Sequence, residues 1–442
     1  MQVKRKHILF FLLLAINITL ALKVNDINNF ASATPSSDPA NLLKANVLWE
    51  KTYGGTGNDR AFYTTTTENG YVVVGFSTSI EQGKTEAWVI RLDDNGTAFW
   101  NQTYLEGAGS EFRYVLDLTD GFLFVGNTFS FSRDWDGYIV RTDSDGKILW
   151  NFTVGGEKVD RFFSASEISD GFMLAGLTAS FGNGNFDVWV VKINEKGNIV
   201  WNKTYGWSMD EAGRSITATE NNFIVAGYTN STGYGDYDFL VLQIDAAWNM
   251  LWNRTYGGTQ SDKAYAIAPA QEGYVVVGDT QSKGEGDSDA WVIKIDLSGN
   301  LVWEKTVGGK GFDQPTCVTA SAHDGFLVGG FTFSFGNGER DFWLFKVDDS
   351  GNVLWSSTVG RSGFEEAYAV LETAENEFVM VGWTNSIGAG NYDYYIVKVS
   401  VEKESSLSPA SMFLPLAVGT VGILLSVLFL LIKRRNKKRM RG

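Results

Sequence analysis

The sequence predicts an all-β protein: one seven-bladed β-propeller of four-stranded blades, plus one C-terminal transmembrane helix. Three observations predict it. Tryptophan recurs at Trp49, Trp100, Trp150, Trp201, Trp252, Trp303 and Trp355, at intervals of 50 to 52 residues. Each interval holds four short apolar or alternating runs separated by Gly-rich or Asp-Gly turns, the signature of strands and hairpins. Finally, the 21 residues from Met412 to Ile432 carry no charge.

The chain of 442 residues opens on Lys4-Arg5-Lys6-His7, followed by an apolar run from Ile8 to Ala21. A basic start before a short apolar stretch is the pattern of a secretory signal, here residues 1–21, with Thr19 and Ala21 as small residues for cleavage. About 14 residues is short for a membrane span; an uncleaved anchor is the alternative reading. Residues 22–46 read as a flexible linker.

Residues 47–400 read as the propeller. After Trp252 come KAYAIAPA (263–270), YVVVG (274–278), AWVIKID (290–296) and LVWEKT (301–306), which we label strands A to D from the axis outwards. Strand A is rich in small residues (Ala264, Ala266, Ala268, Ala270), as a crowded axis requires. Strand B is apolar throughout, as a strand buried on both faces is. Four strands repeated seven times is propeller arithmetic. The repeats begin on a D strand (Val47 to Tyr53) and end on a C strand (Tyr394 to Ser400). The first strand must therefore complete the last blade, which removes an open sheet edge.

Residues 401–411 form a juxtamembrane linker. Met412–Ile432 is long enough to cross the roughly 30 Å hydrocarbon core as a helix. Seven Lys and Arg follow within 433–442 and hold that tail in the cytoplasm. The expectation is a single-pass type I protein of the cell membrane with its propeller outside. The net charge of −14 then divides. Three basic residues lie in the leader and seven in the tail, with no acid in either, leaving about −24 between them. An acidic domain argues against nucleic acid as a partner.

The repeat text resembles the tryptophan-bearing propeller repeats of bacterial and archaeal cell-surface proteins, W-x-x-T-x-G-G…V-V-G-x-T-x-S…D-x-W-[VIL]-x-K-x-D-x-x-G-N. It is seen here in LWNRTYGG, YVVVG and DAWVIKIDLSGN, and the resemblance covers 47–400. Asp143 to Trp150 also has a distant likeness to quinoprotein-type blades. The surface-repeat resemblance implies a propeller ectodomain with a binding role and carries no catalytic residues.

Composition excludes several chemistries. Cys317 is the one cysteine, and His7 and His323 are the two histidines. No intrachain disulfide, Cys-pair redox centre or multi-His zinc site can form. His323 lies beside the Asp324-Gly325 turn, on the face opposite the longer loops. Cys317 reads as a small buried strand A residue.

Candidate sites sit on the face that carries the D–A and B–C loops, which are longer and vary between blades. Ten residues after each repeat tryptophan stand Asp59, Ser110, Asp160, Glu211, Asp262, Asp313 and Glu365. Before each C strand stand Glu86, Asp136, Asp187, Asp238, Asp289, Asp341 and Asp393. Asp59, Asp160, Asp187, Asp262, Asp289 and Asp313 are the candidate ligands for Ca²⁺, a hard cation that takes carboxylate oxygens. Read structurally, the same acids cap turns by accepting backbone N–H bonds. No D-x-D-x-D-G loop accompanies them. The Gly-rich loops lack a following helix and a Gly-Lys-Ser/Thr ending, so they serve turn geometry rather than phosphate.

Trp135, Phe186, Trp207, Tyr234 and Tyr237, with Phe181, place aromatics unevenly in the loops of blades two to four. They offer a stacking surface for sugars or a protein partner, or fold back onto neighbouring blades. The seven repeat tryptophans read as inter-blade core. Asn95, Asn101, Asn151, Asn202, Asn230 and Asn253 are Asn-x-Ser/Thr sequons, four of them in a W-N-x-T slot on the outermost strand, accessible to glycans.

The leading functional expectation is a non-catalytic binding or structural ectodomain for a carbohydrate or protein ligand. One alternative is an enzyme at the channel mouth, using quinone or another chemistry. Another is a calcium-dependent adhesion module.

Overall fold

A computed structural model describes residues 42–401, apart from 82, 130–133, 220 and 221. The expected signal, the membrane helix, the basic tail and most of both linkers lie outside the described residues. Those described form 28 strands, β1 (Ala45–Tyr53) to β28 (Asp393–Val401) in chain order, and no helix. Seven antiparallel four-stranded sheets result. The protein is an all-β seven-bladed propeller.

Six blades are consecutive in sequence, each running A-B-C-D. Their A strands are β2 (Asp59–Thr67), β6 (Gly109–Leu118), β10 (Asp160–Ile168), β14 (Glu211–Ala218), β18 (Asp262–Ala270) and β22 (Asp313–Ala320). The seventh blade has the order β1-β28-β27-β26, with β26 (Glu365–Ala374) innermost and β27 (Glu377–Thr384) next. The first strand thus closes the ring by pairing Ala45 with Val401 through Tyr53 with Tyr394. Glu50 fastens it, accepting from the Tyr395 hydroxyl at 2.8 Å and pairing with Arg361. Just before it, Leu43 donates to the Ser356 carbonyl at 2.7 Å on the outer strand of blade six.

Strands B and C carry the core. Val72 to Val74, Val275 to Val277 and Ile90 are wholly buried, and each cluster combines strands from adjacent blades. The repeat tryptophans lie between blades, but at the outer rim. Six are half-buried, and only Trp355 is buried. Strand D is outermost, so one face of its tryptophan meets water. Trp49, Trp150 and Trp303 donate their indole N–H to the C–D turn of the next blade, at 3.1, 3.1 and 2.8 Å. Four residues on, Tyr104 and Tyr256 donate to the same kind of turn at 2.6 Å. The other buried tryptophans among the described residues are Trp88, Trp189, Trp291 and Trp343 on strand C, and Trp383 on strand B of blade seven. The W-x-x-x-Y pair is a rim clamp, and the D-x-W pair is the core.

Four sequon residues, Asn95, Asn101, Asn151 and Asn202, are exposed on this rim. Asn230 and Asn253 are half-buried, and Asn230 accepts the Asp210 N–H at 2.7 Å.

Candidate functional site

The seven A strands share one irregularity. In each, the ladder skips one residue: Phe62, Arg113, Phe163, Arg214, Tyr265, Thr316 and Tyr368. An unpaired residue in a bulge is re-aimed away from the sheet. Here every bulge points at the axis, and all seven residues line one cavity of about 460 Å³.

A glycine on strand B permits each bulge. A Cβ on Gly75, Gly126, Gly176, Gly227, Gly278, Gly330 or Gly382 would overlap the carbonyl that the bulge tips toward it, as with Arg60 over Gly75 and Lys263 over Gly278. This is the physical reason for the glycine of Val-Val-Gly in each repeat.

The cavity wall is uneven. Tyr63 and Tyr114 stack at 4.1 Å beyond the bulge level. Around the rest of that level the residues are small: Ser164, Ser215, Ala266, Cys317 and Ala369. Burial raises the pKa of both stacked tyrosines, so they stay neutral donors. Burial likewise pushes the Cys317 thiol up to about 11, leaving it protonated.

Guanidinium groups alternate with rings at the bulge level. Arg113 lies 3.7 Å over Phe62, and Arg214 lies 4.0 Å over Phe163. Tyr368 meets Phe62 edge-on at 5.3 Å. Arg113 also grips Glu111 with two bonds of 2.9 Å. Burial opposes ionisation of Glu111, but Arg113, with Arg161 and Asn127, outweighs it and holds the carboxyl low.

The expected loop residues behave differently. Trp135 is half-buried beneath the Arg161 guanidinium at 4.7 Å. Tyr237 is covered by Lys263 at 4.2 Å and donates to Asp210 at 3.1 Å. Both serve contacts from the next blade. Trp207 packs partly against the core, and Phe186 is half-buried. Tyr234 is 78 % exposed, and Phe181 is exposed above Trp189. They do not converge on one surface.

The acids are loop organisers. Asp262 accepts the Gly258 N–H at 2.8 Å, the Ser282 hydroxyl at 2.7 Å and the Thr280 hydroxyl. Asp59, Asp160 and Asp313 each accept a D–A glycine N–H and a strand B hydroxyl in the same way. Asp187 and Asp289 accept two backbone N–H groups each across the B–C loop. Both oxygens of Asp59, Asp160, Asp262 and Asp313, and one oxygen each of Asp187 and Asp289, are thus engaged by the protein. No cluster of three or more metal-ligating side chains occurs among the described residues.

The two sets of acids meet at one glycine per blade. A Cβ on Gly257 would overlap the Asp238 carboxylate and lie 2.9 Å from that of Asp262. Gly54, Gly155, Gly206, Gly308 and Gly360 are pinched alike. Between blades one and two the motif changes in concert: Leu105 replaces the glycine, Glu86 the first aspartate and Ser110 the second.

This crowding has a pH consequence. Burial, with Asp262 nearby, pushes Asp238 up to about 6, against the Tyr234 N–H bond that lowers it. Asp289, Asp341 and Asp393 are raised for the same first cause. The folded state then binds protons more tightly than the unfolded chain, whose aspartates titrate near 3.9. The stability these four aspartates contribute is greatest below that value and is lost as pH rises through the folded one. The melting temperature should therefore increase as pH drops from about 7 to about 5, and Asp238→Asn should flatten part of the rise. A melting temperature that falls steadily over that interval would contradict this account.

The ring at the bulges was not expected from the sequence. Its signal was present: each member stands thirteen residues after a repeat tryptophan, and large residues appear there among small ones. A lone glycine inside an apolar strand was the second clue.

No protein-family model matches the sequence, and no curated protein matches it. Solved structures similar to it include an acylaminoacyl peptidase from Pyrococcus horikoshii, at 10 % identity and a TM-score of 0.44. That likeness covers 78 % of this chain and 51 % of the peptidase, so the chain spans about half the peptidase's length. A protein of unknown function from Dyadobacter fermentans is 12 % identical with a TM-score of 0.45, covering 81 % of this chain and 99 % of that one. Neither likeness speaks to function.

Proposed function

We propose that the protein is a membrane-anchored, non-catalytic binding ectodomain at the cell surface, and that its site is the axial cavity, which takes a saccharide. The ring of bulged residues carries this reading. Phe62, Phe163, Tyr265 and Tyr368 present aromatic surface around a volume of about 460 Å³, within the range of small-molecule sites. Aromatic faces suit the apolar faces of sugar rings, and the Tyr368 and Thr316 hydroxyls, which donate to Glu366 and to the Gly329 and Ala367 carbonyls, keep their oxygens as acceptors. No histidine lines the cavity, and His323 lies outside it against Glu372. The uncharged stretch at 412–432 and its basic flank support the anchor, and the exposed rim sequons suit an extracellular face.

The test is a glycan array and ligand-observed NMR with the full chain in detergent. Tyr265→Ala should weaken the best saccharide about tenfold or more in protein that remains folded. Trp135→Ala, which removes an inter-blade contact, should instead lower the melting temperature. Tight binding of a protein partner, undisturbed by Tyr265→Ala and with no saccharide bound, would overturn this reading.

A further inference from the structure

We propose that the axial cavity selects an anionic saccharide and holds its oxyanion with Arg214 and Arg113, to which Arg161 of the blade between them adds its charge from outside the cavity lining. This rests on the cavity being a saccharide site.

The three arginines come from consecutive blades, β6, β10 and β14, and each is half-buried. Arg113 has Glu111 as its partner. Arg161 has no carboxylate within ion-pair distance among the described residues, and its Nε is buried without a hydrogen-bond partner. Arg214 likewise has no ion-pair partner among the described residues, and it makes no hydrogen bond there. Phe163 at 4.0 Å and Tyr265 at 5.7 Å hold its guanidinium by their faces. Ring contact of this kind fixes the plane and leaves the N–H edge free, the geometry that grips carboxylate, sulfate or phosphate through two bonds.

Charge points the same way. Three guanidiniums have two carboxylates, Glu111 and Asp134, for neighbours, inside a domain whose overall charge is strongly acidic. Burial opposes the protonation of Arg161 most, Glu111 and Asp134 favour it, and Arg113 and Arg214 are close enough to oppose it. Like charges gathered in a partly dry site are costly unless an anion joins them. The cavity walls exclude water on one side and so focus that field into the mouth.

The ligand is therefore a sugar ring bearing one oxyanion. The ring rests on Tyr265 and Tyr368, and the charged group reaches the arginine side. Carboxylate, sulfate and phosphate share this chemistry.

The experiment compares glucuronate, glucose 6-sulfate, glucose 6-phosphate and glucose, with inorganic sulfate and phosphate, by isothermal titration calorimetry on the full chain in detergent. Expected is binding of at least one charged sugar about tenfold or more tighter than glucose, weakening as salt is added. The tightest of the three identifies the charged group. Arg214→Gln should bring that sugar to the level of glucose. Arg214→Lys should restore part of the preference, since it keeps charge but loses the fork. Equal binding of glucose and all charged sugars overturns the anion assignment and leaves the saccharide reading standing. Binding of inorganic anions without any sugar upholds the arginine site and overturns the saccharide reading. Failure of every probe overturns both.

Discussion

Deleting residues 45–53 from the full chain should abolish cooperative folding of the propeller. Strand β1 is the sole outer strand of blade seven, and eight of its residues pair with β28. Without it, the β28 edge is open along a strand whose Tyr395, Val397 and Val399 are at most 2 % exposed. An apolar edge of that length templates aggregation. The deletion also unclamps the ring at its seam. Trp49 and Tyr53 donate to the Asp94 and Gly96 carbonyls of blade one, tying the last blade to the first. The combined loss exceeds about 5 kcal/mol, the lower end of a domain's whole stability. Circular dichroism and size exclusion should show no monomeric, cooperatively melting species. A synthetic peptide spanning residues 42–53 should restore it by adding the missing strand in trans. A truncated chain that stays monomeric and melts at the original temperature would show that closure does not depend on this strand.

The fold was legible because the sequence states each blade seven times. Strand order, the D-strand start and the C-strand end together dictated the closure by β1. What repeats could not give is how two chemically similar tryptophans divide their labour. Trp303 and Trp291 lie twelve residues apart, and only their distance from the axis decides that the first is a rim clamp and the second is core. The site was harder still, because recognition depends on positions that differ between copies. Arg214, Tyr265 and Thr316 have no shared chemistry that marks them as equivalents. The bulge makes them equivalents by turning each toward the axis. The loop aromatics misdirected attention for a related reason. Trp135 and Tyr237 look exposed in a loop until Arg161 and Lys263 of the following blades lie across them.

Substituting Gly278 by alanine should cost about 3 kcal/mol, the upper part of the range for forced overpacking. Glycine to alanine in a strand is ordinarily neutral or favourable, since alanine loses less conformational entropy on folding. Gly278 shows no positive φ that would change this sign. The steric term decides it. A Cβ there would overlap the Lys263 carbonyl and lie 2.6 Å from the Ala264 Cα, backbone atoms that no rotamer change can move. Relief requires flattening the bulge between Ala264 and Ala266. A flattened ladder returns Tyr265 to the pairing register and shifts the residues beyond it by one, so side chains exchange faces. The variant should therefore lose stability in urea and, where it remains folded, lose the Tyr265 contribution to saccharide binding as well. Gly109→Ala is the control. Its Cβ would meet nothing closer than Thr85 at 3.5 Å, and its stability should stay within about 0.5 kcal/mol. Equal urea midpoints for the two variants would mean that the strand B glycine does not hold the bulge. The cavity ring would then owe its direction to packing between the A strands alone.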